Sequence, residues 1–415
     1  MMRALFAAIA GLQNHITYMD VVGNNIANVN TQGFKASRIT FQDMLSQTTA
    51  GASAPTENRG GTNPQQVGLG MTIGGIDVMH GQGTLQATGR NTDFAIQGAG
   101  FFIVRDGDRT FYTRDGAFDV AVTGELVNPT NGYKVQGWRA DTDGNVDMDK
   151  PVESIHIPLG QSIAAQPTSS LTLQGNLNSA AADGQSFSTT VDAYDSLGNA
   201  HPVTMRFVKA SDSTWDVEVE GAAVDSSTVN PTQIEFDASG RMTTLSAGTP
   251  LELNITLDSA VVGGADTAVD IDVDIEAITQ FSGAGQIAPT FNNGFSAGSL
   301  EDFSVGPGGD ITGIFSNGTT RTLGQLATAN FTNPAGLQRS GSNLFEVTSN
   351  SGVPGIGTPG TGGRGTVGAG VLEGSNTDLA REFTNVVIAQ RGFQASSRII
   401  STSDQMLEGL VNLIR

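Results

Sequence analysis

The chain contains no cysteine, which removes disulfides, thiolate chemistry and cysteine-ligated metal sites together. The same absence leaves the redox compartment unread, because zero cysteines suit either side of a membrane. Positive charge is scarce: 21 lysines and arginines stand against 41 aspartates and glutamates, for a net charge of −20. Such a balance argues against a nucleic-acid binder or a partner of anionic membranes. There is no apolar run of the roughly 18 residues that a membrane span needs. At 415 residues the chain is long enough for roughly two to four domains with real cores. Met1–Leu12 has a basic residue followed by a short apolar run, as a secretory signal does. Its stripe continues past that run without a convincing cleavage context, so the segment is read as an uncleaved helix.

What is present is an apolar stripe at each end. Leu5, Ile9, Leu12, Ile16, Met19, Gly23 and Ile26 alternate steps of four and three, which line up one helix face. Leu379, Val386, Phe393, Ile400, Leu407 and Ile414 repeat at every seventh position, with Phe383 and Val411 between them. Ser375-Asn376-Thr377-Asp378 gives the second helix a start signal, a hydroxyl to cap free amides and an acid at the positive end. Gly11 and Gly23 weaken the first helix by about 1 kcal/mol each. The two ends can pair within one chain, but that pairing leaves much of each stripe uncovered. Gln390, Ser397 and Asp404 in the second seam suit a crowded multi-helix wall better than a sealed core. Open apolar stripes call for further copies of the same chain.

The middle reads as β structure. Phe94-Ala95-Ile96, Phe101–Val104 and Phe111-Tyr112 alternate with the turn signals Asp106-Gly107-Asp108 and Asp115-Gly116, so hairpins are expected. Further strands are expected at Leu171–Leu173, Val203–Phe207, Trp215–Val219, Leu251–Leu257, Ile311–Phe315 and Leu344–Val347. Ala52–Gln66 reads as an extended loop, and Gly352–Gly370 as a Gly-rich counterpart before the last helix. The expected fold is mixed and mainly β, with nested β domains in the middle and terminal helices forming a coiled-coil domain. The expected boundaries are 1–28 plus 372–415 for the helices, 29–70 plus 352–371 for connecting segments, 71–145 plus 291–351 for an inner β domain, and 146–290 for an outer one.

No pattern demands catalysis. Gly294-Phe295-Ser296-Ala297-Gly298 matches a nucleophile elbow, but the last histidine, His201, lies upstream and a strand is expected to follow. Asp141–Asp149 alternates oxygen ligands as a calcium loop does, yet has Val146 and Val152 where Gly and Glu belong. An Asp-Gly turn is the better reading. Val269, Ile271, Val273 and Ile275 alternate with Asp270, Asp272, Asp274 and Glu276, which suggests a solvated outer strand whose charges oppose edge pairing. A divalent cation bridging those carboxylates is the lesser reading. The four histidines are scattered, and no cofactor or metal site is expected.

Three stretches carry a family resemblance. Val21–Lys35, VVGNNIANVNTQGFK, resembles the N-terminal signature of the flagellar rod and hook axial proteins, on Asn24, Asn25, Asn28, Thr31, Gly33 and Phe34. Asp93–Val104, Tyr112–Val120 and Glu125–Trp138 resemble their shared β domain, and Leu372–Arg415 their C-terminal helix. The resemblance implies a subunit whose terminal helices line a helical tube, and the β material between Val146 and Thr290 points to the hook branch rather than the distal rod or another basal-body rod protein. It implies partners: further copies of the chain, the distal rod, the hook cap, hook–filament junction proteins and the flagellar export apparatus. The residues expected to carry assembly are the two stripes. A secreted β-rich enzyme or adhesin is the rival class, and would need a convergent polar site.

Overall fold

A computed structural model describes residues 2–57, 59–141, 144–221, 232–243, 252–256 and 270–413. The chain is mainly β, with long helices α1 (Met2–Ala27) and α2 (Leu379–Leu413) near its two ends. It divides into two compact units, 1–157 with 303–312 and 322–415, and 158–302 with 313–321.

The first unit holds both helices and a sheet whose centre is a hairpin, Phe101–Asp106 against Arg109–Thr113, with Asp106 opposite Arg109. Four consecutive buried residues, Phe101 to Val104, drive this strand into the core, and Gly107 at φ +57° makes the turn. Lys134–Arg139 pairs on one side and Leu344–Glu346 on the other. Phe101, Tyr112, Phe331 and Phe345 form an edge-to-face aromatic cluster at 4.9–5.7 Å between ring centres, a geometry that adds to area burial.

Two segments expected to be connectors are instead structured. Ala52–Gln66 lies almost wholly between paired strands Ser46–Ala50 and Gln65–Gly68, and bridges Ser53–Thr62 and Thr56–Arg59 continue the hairpin toward its tip. Within Gly352–Gly370, Gly355–Gly357 pairs with Thr328–Asn330, and Thr366–Ala369 with Phe94–Gln97. The glycines of this connecting segment serve turns between short strands, with Gly352, Gly360, Gly362, Gly363 and Gly370 at positive φ.

The second unit is two sheets around one core. One sheet has the order 252–256, 270–281, 170–178, 286–292, and the other 186–194, 200–209, 214–220, 233–236, 242–243. Their inner faces interleave Leu173, Met205, Phe207, Trp215, Ile234, Val273 and Ile275, all fully buried. Lys209 falls at an inward position of its strand, but its ammonium donates to the carbonyls of Ser179 (2.7 Å) and Ala181 (2.9 Å), so the charge is satisfied. The acidic strand corrects an expectation. Asp270, Asp272, Asp274 and Glu276 do face solvent, but Asp270–Phe281 is interior to its sheet, antiparallel to Glu252–Thr256 and parallel to Ser170–Asn178. Solvation of the exposed face, rather than an edge position, relieves the repulsion. Val269, Leu251 and Leu257 lie outside the described residues.

Phe207→Ala should destabilise the second unit by about 3–5 kcal/mol, read by denaturant titration through Trp215 in a Trp138→Phe background. An effect below about 1 kcal/mol would mean that the two sheets do not share this core.

Candidate assembly surface

The helices pack antiparallel, with Gly11 opposite Ser396 and His15 opposite Gly392. Small residues meet where the two helices cross at Gly11–Ser396 and His15–Gly392; the buried side chains are Ala8, Val22 and Asn25 on α1, and Glu382, Ala389 and Ser403 on α2. A Cβ at Gly392 would come within 2.4 Å of the His15 ring, and one at Gly11 within 3.0 Å of Ser396 Oγ. Gly11 therefore has a packing role, whereas Gly23 has nothing within 4 Å. Asp378 caps α2 itself, with its carboxylate accepting from Ala380 N (3.0 Å), while Ser375 bonds Thr377 instead.

The buried stripe of α1 is rotated one residue from the stripe read in the sequence. Leu5, Leu12, Met19 and Ile26 are half-buried, and Ile9 and Ile16 are exposed. On α2, Val386, Phe393 and Ile400 are half-buried, and Leu379, Phe383 and Leu407 are exposed. The side chain of Val411 and all of Ile414 lie outside the described residues. The open surface is wider than the heptad seam: Phe6 (61%), Val387, Ile388 (54%), Ile399 and Met406 are also exposed. A second apolar register on α2, at Val387, Ile388 and Ile399, was the signal for them.

The signature residues have a different job. Asn25 is buried and exchanges two hydrogen bonds with the Ser37 backbone, at 2.8 and 2.9 Å. Asn28 donates to Asn24 and accepts from Thr31. Gly33 sits at φ +66°, where a Cβ would lie 2.5 Å from Asp115 N, so no other residue fits. Phe34 is buried beneath the Arg339 guanidinium, 5.1 Å away. These residues fix the exit of α1 against its own chain and are not part of the open surface.

Their loop ends in an ionic clamp that sequence reading missed. Glu373, fully buried, accepts from Lys35 Nζ (2.7 Å) and Arg114 Nη1 (3.0 Å), and also from Gly83 N (2.8 Å). Lys35 Nζ also donates to Gly81 O (2.9 Å), and Arg114 to the carbonyls of Ile96 and Gly98. Asn376 adds bonds to Ala36 N and to Met79 O, both 2.7 Å. Burial pushes the Lys35 ammonium below its usual pKa, and Glu373 pulls it back. Lys35 and Glu373 are 338 positions apart, so no local pattern exposes their pairing. The visible trace is a charge directly after Gly33-Phe34 and another after Val371-Leu372.

The enzyme-like motifs gain no support. Gly294–Gly298 runs into strand Gly298–Val305 rather than a helix, so no elbow forms. Asp141 N–H and carboxylate bond Asn145 in a turn, while Thr142 and Asp143 lie outside the described residues. Among the described residues no group of three metal-ligating side chains converges, and no helix is long and apolar enough to cross a membrane.

Glu373→Ala strands two buried cations and should destabilise the first unit by about 3–5 kcal/mol, with Lys35→Met also destabilising. Hydrogen exchange of strand Phe94–Gln97 reads the effect. Unchanged protection in both variants would remove the clamp from the account.

Family models match in chain order. A flagella basal body rod protein model covers residues 5–35, a flagellar hook protein FlgE/F/G D1 domain 95–172, a flagellar basal body protein FlaE D2 domain 160–295, and a flagellar basal body rod FlgEFG protein C-terminal model 369–413. Flagellar hook protein FlgE of Borreliella burgdorferi is 41% identical, with all of both chains covered. That of Escherichia coli is 35% identical over 99% of this chain and all of its own. The crystal structure of Helicobacter pylori flagellar hook protein FlgE2 matches at a TM-score of 0.51 and 15% identity, over 68% of this chain and 98% of that one, a likeness of fold. Full-length identity with several hook proteins, together with terminal and β-domain models of one family in the expected order, places this chain in the flagellar hook protein family, FlgE.

Proposed function

We propose that the chain is the structural subunit of a bacterial flagellar hook and polymerises through its terminal helices. The observation that carries this reading is the division of labour on α1 and α2. Small residues close the helix pair inside one chain, while Ile9, Ile16, Leu379, Phe383 and Leu407 stay open to solvent. Large apolar side chains left exposed along both helices ask for a partner, and copies of the same helices supply one. Non-identical contact surfaces repeated along a screw axis give an open tube without further chemistry.

Coiled-coil packing then forms between copies, with Leu5, Leu12, Met19, Ile26, Val386, Phe393, Ile400, Val411 and Ile414 completing the seams. The tube bends as it rotates and passes motor torque to the filament as a universal joint. In this reading the chain leaves the cell through the flagellar export apparatus without losing its N-terminus. It then meets the distal rod, the hook cap and the hook–filament junction proteins. The rod alternative is disfavoured by the higher full-length identity to hook proteins, 41% and 35%.

Phe383→Asp and Ile16→Asp should each abolish tube formation seen by electron microscopy. Because both side chains are exposed in the monomer, thermal stability should change by less than about 1 kcal/mol. Tubes of normal length from either variant would contradict the reading, and so would loss of the monomer's fold.

A further inference from the structure

His80 stands at the centre of the ionic clamp without taking part in it. Its ring packs edge-on against Phe101 and Phe345, at 5.5 and 5.2 Å, and both ring nitrogens are sealed from water, with the Pro334 carbonyl the one acceptor near the ring among the described residues and no carboxylate bonded to it. Its chain neighbours are the platform of the clamp: Met79 O receives Asn376, Gly81 O receives both Lys35 and Asn376, and Gly83 N donates to Glu373. Three elements around the ring present positive charge. Lys35 comes from the loop after α1, Arg114 from the end of the central hairpin, and Arg339 from strand Gln338–Gly341. Arg114 lies 5.5 Å over the same Phe101 ring that His80 touches, and Arg339 donates to the Lys35 carbonyl. The anion facing them, Glu373, is already occupied by Lys35 and Arg114.

We propose that His80 is an acid-sensitive release for the Glu373 clamp: a proton added to its ring expels the 79–83 segment and frees both ends of the chain from the β sheet. The neutral ring is a good aromatic filler between two phenylalanines. The imidazolium would be a fourth cation in a dry site whose carboxylate is already bonded. Burial first, then Lys35, Arg114 and Arg339, hold the ring neutral down to about 4, and the Pro334 carbonyl offsets this only in part. The sign follows. The folded pKa is below the ordinary 6.5, so the stabilisation is complete above about 6.5 and is lost as pH falls toward 4. Gly33, Ala36 and the start of α2 all hang from this clamp, so its release loosens the two helices together.

The test is hydrogen exchange on the full-length monomer, with protection factors corrected for intrinsic rates. With the open segment titrating near 6.5 and the closed one near 4, protection at residues 79–83 and 33–37 should fall by about 30-fold between about pH 8 and pH 5. In His80→Gln the fall should be under about threefold. An equal fall in wild type and variant overturns the proposal. A second readout needs no variant: the wild-type His80 ring, followed by NMR, should stay neutral to about pH 5. Titration near 6.5 with protection intact overturns it as well.

Discussion

One buried carboxylate holds the first unit together. Glu373 lies before α2, Lys35 in the loop after α1, and Arg114 just past the strand Arg109–Thr113, so a single fully buried group ties three distant parts of the chain to one point. Breaking such a cluster strands charge in a dry site, which makes its geometry close to all-or-none. The surrounding details follow from that constraint. Gly33 is forced by the approach of Asp115, Asn376 spans the Ala36 amide and the Met79 carbonyl, and Arg339 covers Phe34 while holding the Lys35 carbonyl. The Asn-rich signature after α1 is the covalent lead-in to this clamp.

With the helix ends fixed, the helices divide their faces. Where the helices meet most closely, glycine and serine stand in the contact, and the large side chains of the stripes are at most half-buried. Close approach of the two backbones is gained, and the large side chains are left outside. Phe383, Ile388, Ile399 and Leu407 would be a liability on a chain that remained single. The proposed assembly would cover them in the wall of the tube.

Much of this was legible in the sequence, and the parts that were not have identifiable causes. Period-seven apolar spacing found α2, and alternation found the strands around Leu173, Phe207 and Trp215. The exit of α1 was legible because closely spaced asparagines oppose a helix. The face of α1 that packs inside the chain lies one position away from the apolar stripe. Hydrophobicity marks the largest side chains, whereas the intrachain contact selects the smallest, so Ala8 and Gly11 carry no apolar signal. Gly352–Gly370 looked like a joint because composition cannot tell turn glycines from linker glycines. The acidic strand Asp270–Phe281 looked peripheral because its partner, Ser170–Asn178, is about a hundred residues upstream. The clamp was hidden for the same reason, as no spacing rule links Lys35 to Glu373.

The absence of native cysteine offers the most direct test of the central claim that the open stripes are where copies meet. A single cysteine placed at residue 383 or 16, the variant first being shown to form tubes, can be labelled by a maleimide before and after polymerisation. The account predicts rapid labelling in the monomer and strong protection in the tube, with a control cysteine at exposed Val122 labelled equally in both. Equal labelling of residues 383 and 16 in monomer and tube would contradict it.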